Sequence, residues 1–150
     1  MIRTYTYGLN RISEDQLIGS SWMPSFYGYD GHPNVRFQVN TAGTVTDTYQ
    51  FDAFGNQISI SGSTANSYLF STEQFDANLS LYYQRARYYL PQTGRFLTMD
   101  PYEGSVLRPL SFQGYACTLN SPINSIAMSH RVYVPSNRQN RNAFNRCDSF

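Results

Sequence analysis

The sequence predicts an all-β fold, and three observations carry that expectation. Aromatic residues make up 16% of the 150 residues, with 13 Tyr and 10 Phe, while charged residues reach only 14%, against a usual share of about 25%. All 11 basic residues are Arg and none is Lys, which leaves the chain without the Ala, Glu, Lys and Leu mixture that builds helical bundles. Pairs of aromatics also recur at i and i+2, the spacing of one face of a strand. Tyr, Phe, Thr and Val set among Gly, Asn and Ser suit short strands joined by tight turns.

The same composition excludes whole classes. Disordered acidic or basic tails lack aromatics and carry excess charge. No window approaches the 18 or so apolar residues of a membrane-spanning helix, and the N-terminus shows no charged stretch followed by an apolar signal core, so no signal peptide is expected in this chain. The net charge of +1 supplies no field for nucleic acid or a membrane surface. It is unevenly spread: residues 1–130 hold 7 Arg against 9 acidic residues, whereas residues 131–150 hold Arg131, Arg138, Arg141 and Arg146 against Asp148.

The strands are expected in a repeating order. Tyr5-Thr6-Tyr7-Gly8, Tyr27-Gly28-Tyr29-Asp30 and Tyr49-Gln50-Phe51-Asp52 recur every 22 residues, and a weaker copy, Glu73-Gln74-Phe75-Asp76, follows after 24. Each aromatic pair ends a strand and the Asp opens a turn. In Asp52-Ala53-Phe54-Gly55-Asn56 the Asx side chain can bond the turn backbone and Gly can take positive φ. Alternation resumes at Ile58 and Ile60, so one unit reads strand, tight turn, strand. Such a unit cannot bury its aromatic face alone, so stacked neighbours are expected to complete the core. Three and a half units beginning in mid-pattern read as part of a longer array, although 150 residues suffice for one domain.

After the repeats, residues 81–90 read as one strand, with Leu81, Tyr83, Arg85, Arg87 and Tyr89 on one face and Tyr82, Gln84, Ala86, Tyr88 and Leu90 on the other. Arg interleaved with Tyr permits guanidinium-over-ring contacts. Such interleaving also occurs in binders of single-stranded nucleic acid, but two Arg without a wider basic patch favour a structural lattice. Pro91-Gln92-Thr93-Gly94 makes a turn and Arg95-Phe96-Leu97 a short strand. Residues 100–130 read as loops with one short helical turn, and residues 131–150, rich in Asn and Arg, as a flexible tail.

The stretch EQFDANLSLYYQRARYYLPQTGRFLTMDPYEG, residues 73–104, closely resembles the core-associated region of bacterial rearrangement-hotspot (Rhs) proteins, and GTVTDTYQFDAFGN, residues 43–56, resembles their YD repeats. The resemblance spans residues 5 to about 126. It divides the chain into YD-type repeats over 1–72, a repeat-associated core over 73–126 and a variable tail over 127–150. It implies β-hairpin units from the end of a spiralling β-sheet shell, with a loop-rich plug, inside a large bacterial polypeptide that is secreted or displayed at the cell surface. The implied partners are the rest of the shell, a C-terminal toxin with its immunity protein, and a secretion apparatus.

In many Rhs proteins an aspartyl self-cleavage, needing one aspartate in an upstream DP motif and another in a DPxGL motif, frees the toxin. Paired carboxylates share a proton there, one activating water while the other protonates the carbonyl. Asp100, in Asp100-Pro101-Tyr102-Glu103-Gly104, matches the upstream aspartate. The downstream motif would follow residues 120–126, but that place reads Ala127-Met128-Ser129-His130, and alanine cannot transfer a proton. Asp100 is therefore the one candidate catalytic residue, and the missing partner favours reading it as a vestigial one that only forms an Asx-type turn. Ser80 stands where the family has Gly in its DANLGLYY-type turn.

Other sites are weaker. His32, His130, Cys117 and Cys147 lack metal-ligand spacing, and His32 between Gly31 and Pro33 reads as a turn residue, so neither metal nor cofactor is expected. Cys117 and Cys147 leave a disulfide and two isolated thiols both open. The function expected is that of a shell segment that houses and delivers a toxin in interbacterial competition. The alternatives are a remnant self-cleaving peptidase using Asp100 and a carbohydrate- or surface-binding module.

Overall fold

A computed structural model of the chain describes residues 2–101, 106, 107, 109–120, 122, 126–128 and 131–133. Among them every extended element is antiparallel, and the only helical turns are short 3-10 segments at Phe70–Thr72, Pro109–Phe112 and Cys117–Asn120. The chain divides into two compact units, Met1–Gln74 and Phe75–Phe150. The structure is all-β, as the composition predicts.

The first unit is a meander of six strands in sequential order: β1 (Ile2–Tyr7), β2 (Arg11–Ile18), β3 (Ser21–Tyr29), β4 (Val35–Val39), β5 (Val45–Phe51) and β6 (Gln57–Ser61). Its register pairs Tyr5 with Glu14, Glu14 with Ser25, Tyr27 with Gln38 and Gln38 with Asp47. Since alternate residues share a face, the repeated aromatics Tyr5, Tyr27 and Tyr49 lie on the same side of the sheet as Glu14, Gln38 and Asp47. β1, β3 and β5 each end at the aromatic pair of one repeat, so the strand–turn–strand unit is present as read.

What completes the core differs from the sequence expectation. After β6 the chain returns across the aromatic face as an irregular strap, residues 62–73, which takes in the 3-10 turn Phe70–Thr72, so within this unit the chain covers its own repeats. Val35 donates its N–H to the Leu69 carbonyl at 3.0 Å, and Val35, Tyr49 and Leu69 are buried together with Glu14, Gln16, Gln38 and Asp47. The opposite face leaves Ile2, Trp22, Phe26 and Phe37 exposed.

The second unit carries a four-stranded sheet ordered β10-β9-β8-β7, with β7 (Gln74–Asp76), β8 (Leu81–Gln84), β9 (Arg87–Leu90) and β10 (Arg95–Phe96). Residues 81–90 are thus a hairpin and not the single strand that their alternation suggests. Arg85 takes φ 59° and Ala86 donates its N–H to the Gln84 carbonyl at 2.6 Å, which reverses the chain within two residues. The faces change accordingly. Tyr82 pairs with Tyr89 and Gln84 with Arg87 on the buried side, while Tyr83 faces Tyr88 on the half-exposed side. Arg85 sits in the turn, so no strand face joins it to Arg87.

The turn at Pro91–Gly94 and the strand at Arg95–Phe96 stand where the sequence indicates them. Beyond Asp100 two 3-10 turns replace the single helical turn expected, and a small hairpin of β11 (Ile126–Met128) and β12 (Arg131–Tyr133) pairs Ala127 with Val132. His130, Cys147 and the tail from residue 134 lie outside the described residues.

Candidate functional site

The Asp of the repeat is a turn builder of defined geometry. Asp52 Oδ1 accepts the N–H groups of Phe54 at 2.8 Å and Asn56 at 2.9 Å, and Oδ2 accepts the Asn56 side-chain amide at 2.8 Å. Asp30 makes the same three bonds, to the N–H groups of His32 and Asn34 and to the Asn34 side chain, at 2.9, 3.0 and 3.0 Å. Each Asp also donates its own N–H to the carbonyl of that Asn. The working motif is therefore Asp-x-x-x-Asn, in which one carboxylate satisfies the donors a reversing chain would otherwise leave open. Asp76 keeps part of it, accepting from Asn78 and Leu79. His32 contributes its backbone to this clamp, as its turn context suggests.

The strap-covered face is the main polar assembly of the first unit. The fully buried Glu14 carboxyl accepts hydrogen bonds from Gln16 Nε2 at 2.5 Å, Tyr27 Oη at 2.7 Å and Gln38 Nε2 at 3.4 Å. Tyr49 Oη donates to Gln38 Oε1 at 2.9 Å, which fixes the Gln38 amide with its nitrogen towards Glu14. Burial, followed by the charge of Glu14, pushes the Tyr27 hydroxyl far up from its ordinary value. Burial likewise pushes the Tyr29 and Tyr49 hydroxyls up to about 12. These tyrosines are held as neutral donors.

The strap is gripped at several points. Gln16 donates to the Ala65 carbonyl at 2.8 Å and Arg11 to the Thr72 carbonyl at 2.6 Å, while Asp47 and Asn34 accept the N–H groups of Thr64 and Ser71 at 2.8 and 2.9 Å. The Arg11 guanidinium lies 3.1 Å over the Tyr68 ring, and Tyr68 meets Tyr5 edge-on at 5.2 Å between centroids. Burial pushes the Asp47 carboxyl up, but hydrogen bonds from Thr46, Thr64 and Ser63 outweigh it and hold the group below its ordinary value.

In the second unit Asp100 is bound to Arg87. Their Oδ2 and Nη2 atoms are 2.9 Å apart, Arg87 also donates to the Gly114 carbonyl at 3.3 Å, and Asp100 donates its own N–H to that carbonyl at 2.8 Å. The guanidinium lies 3.7 Å over the Phe96 ring. Arg87 therefore ties β9, β10 and the segment around Gly114 together, and the Asp100 carboxylate serves as an ion-pair acceptor in that tie. Ala127, which stands where the resemblance puts the second aspartate, lies in β11. Among the described residues no cluster of three or more His, Cys, Asp or Glu could hold a metal ion. Cys117 is free and buried, and burial pushes its thiol up to about 11.

Sequence reasoning missed Glu14, Gln16, Gln38 and Asn34, because single polar residues within a strand do not reveal which face is covered. One signal was available for the strap. The interval before the fourth copy is 24 residues instead of 22, and the inserted stretch is rich in Ser, Thr and Asn.

The fold is shared with the chains of bacterial Tc toxins. A TcdB2-TccC3-TEV crystal structure superimposes with a TM-score of 0.71 at 16% identity, over 87% of this chain and 6% of that one. The Tc holotoxin pore of Photorhabdus luminescens gives 0.66 at 15% identity, over 85% and 7%. In sequence the chain is similar to two large nucleases: the tRNA3(Ser)-specific nuclease WapA of Bacillus spizizenii, 34% identical over 129 residues, and the tRNA nuclease WapA of Bacillus subtilis, 33% over 127 residues. Each match takes in 83% of this chain and only 5% of the relative. The salivary gland surface protein 1 of Aedes aegypti is 32% identical over 95 residues, or 61% of this chain. No family model matches. These likenesses support the resemblance to Rhs and YD-repeat proteins. Among the described residues no helix is long and apolar enough to cross a membrane.

Proposed function

We propose that this chain is a shell segment of an Rhs-type polymorphic toxin, whose task is to enclose and deliver a C-terminal toxin. The observation that carries the reading is the identical Asp-x-x-x-Asn clamp at Asp30 and Asp52, 22 residues apart, in a sheet with the fold of Tc toxin chains. A repeated, self-clamped turn adds strand pairs at constant geometry, which is what a wall built by repetition requires. The similarity to WapA nucleases supports a toxin polypeptide as the context. Secretion, an immunity protein and a role in competition between bacteria belong to the same proposal.

The Arg87–Asp100 tie supports a structural part for Asp100, anchoring the repeat-associated core, over a part in self-cleavage. The full-length polypeptide that contains this segment tests the reading. Single-particle imaging is expected to find a closed β shell, with the C-terminal region resistant to added protease until the shell is opened. An open structure whose C-terminal region is digested at once overturns it.

A further inference from the structure

β6 is a sheet edge without the usual protection. Among the described strands it pairs only with β5, because the chain turns out of the sheet at Gly62, where φ is 106°. Its outer side presents the peptide groups of an unpaired strand, which recruit a further strand unless charge, Pro or a covering segment prevents it. All five residues of Gln57–Ser61 are exposed, and no charged residue occurs from residue 53 to residue 72. The other edge of the sheet differs, since β1 carries Arg3, which donates to the Ser67 hydroxyl at 3.2 Å.

The edge is also apolar in a particular pattern. Ile60 pairs with Tyr49, so Ile60 and Ile58 border the strap-covered face, yet they stay 49% and 66% exposed. Gln57-Ile58-Ser59-Ile60-Ser61 reads nearly the same in both directions about Ser59. Two such strands, set antiparallel about a two-fold axis at Ser59, place each Ile58 opposite the Ile60 of the other copy. Ser59 then faces Ser59, and Gln57 faces Ser61. Directly opposed β-branched pairs favour a sheet, and no like charges meet across this one.

We propose that β6 is the site at which a second copy of this chain adds, edge to edge, to form an isologous dimer with one sheet running through both copies. The near-palindrome is what selects a second copy. An unrelated extended segment makes the same main-chain bonds but brings no matched isoleucines. Addition of β6 to β1 of another copy sets the isoleucines against a strand that carries Arg3. It also leaves a free edge at each end, so it grows without closing, whereas the two-fold pairing closes on itself. The shell reading is decided by imaging of the full-length polypeptide and is independent of this dimer.

The test is sedimentation of the whole chain across a range of concentrations. One strand pair buries less than the about 1,200 Å² of a stable interface, so a reversible dimer with a dissociation constant on the order of 100 μM is expected. Ile58→Lys places a charge at an exposed edge position, leaves the fold intact and is expected to weaken the dimer by about tenfold or more. Trapping fixes the register. In a Cys147→Ser background, which leaves the buried Cys117 as the one native thiol, Ser59→Cys is expected to form a disulfide-linked dimer under mild oxidation. Gln57→Cys is not, because two-fold pairing at Ser59 holds the two copies of residue 57 beyond the about 7 Å that a disulfide spans. A chain that stays monomeric at about 1 mM and yields no Ser59→Cys product overturns the proposal. So does a dimer that Ile58→Lys leaves unchanged, or one that Gln57→Cys traps as readily as Ser59→Cys. Open-ended growth with concentration also overturns it, in favour of β6 pairing with β1.

Discussion

Asp52 holds Asn56 through both carboxylate oxygens, one on the backbone N–H at 2.9 Å and the other on the side-chain amide at 2.8 Å. The Phe54 N–H adds a third bond at 2.8 Å. At about 0.5–1.5 kcal/mol net for each bond, Asp52→Ala is expected to lower the unfolding free energy by about 2–3 kcal/mol in urea titration. Asp52→Asn presents only one acceptor oxygen to these donors and is expected to fall between the two. Because Asp30 makes the same clamp in a separate turn, the costs of Asp30→Ala and Asp52→Ala should add.

Arg87 is expected to matter more than Asp100. Arg87→Met removes the ion pair, the bond to Gly114 and the cation–π contact with Phe96, while Asp100→Asn keeps a carbonyl acceptor towards the guanidinium. A loss of about 2–4 kcal/mol is expected for the first and about half of that for the second, read from thermal unfolding. Mass spectrometry of the incubated chain is expected to find the intact mass both with and without Asp100→Asn. A product ending near residue 130 that Asp100→Asn abolishes would restore the self-cleaving reading.

Ser80 carries φ 56° where the resembled family has glycine. Ser80→Gly is expected to stabilise the chain, since the relief of a left-handed serine outweighs the added freedom of the unfolded state; a gain of about 0.5–1 kcal/mol is the natural scale. The opposite sign is expected at Gly62, where φ is 106° and a Cβ would press on the Asp47 carboxylate and come within 2.7 Å of the Thr46 carbonyl. Gly62→Ala should cost about 2 kcal/mol or more.

Asp47 gives the first unit an acid limb. Its folded carboxyl titrates below its unfolded value, so its contribution is fully present above the unfolded value of about 3.9 and is lost as pH falls through the lower folded one. The melting temperature of the parent chain should therefore drop more steeply below about pH 4 than that of Asp47→Asn, which is less stable at neutral pH but has no such proton to take up. Parallel curves would contradict the assignment.

Cys117 is expected to resist alkylation. With its thiol pushed up to about 11, only about one molecule in a thousand carries the reactive thiolate at pH 8, and burial blocks the reagent as well. Peptide mapping after iodoacetamide treatment should find Cys117 unmodified in the native chain and modified in urea. Rapid native labelling would place that thiol at the surface.

Much of the architecture was legible beforehand, for local reasons. Tyr27-Gly28-Tyr29-Asp30 and Tyr49-Gln50-Phe51-Asp52 each state a period-2 aromatic face and a turn former within four consecutive residues, and such information acts between residues close in the chain. The hairpin at 81–90 was not legible, because Arg85 enters the left-handed region that Gly or Asn would have announced. The alternation of Tyr and Arg ran unbroken through the turn.

By itself the sequence determined the fold class, the period of the repeat, the strand-ending aromatic pairs and the aspartates that open the turns. Only the tertiary structure decided which face of the sheet is covered, that residues 62–73 cover it, and that Asp100 is tied to Arg87. The physical reason is distance along the chain. Gln16 and Ala65 stand 49 residues apart and Asp47 and Thr64 stand 17 apart, and no local pattern specifies which buried acceptor a remote backbone will find.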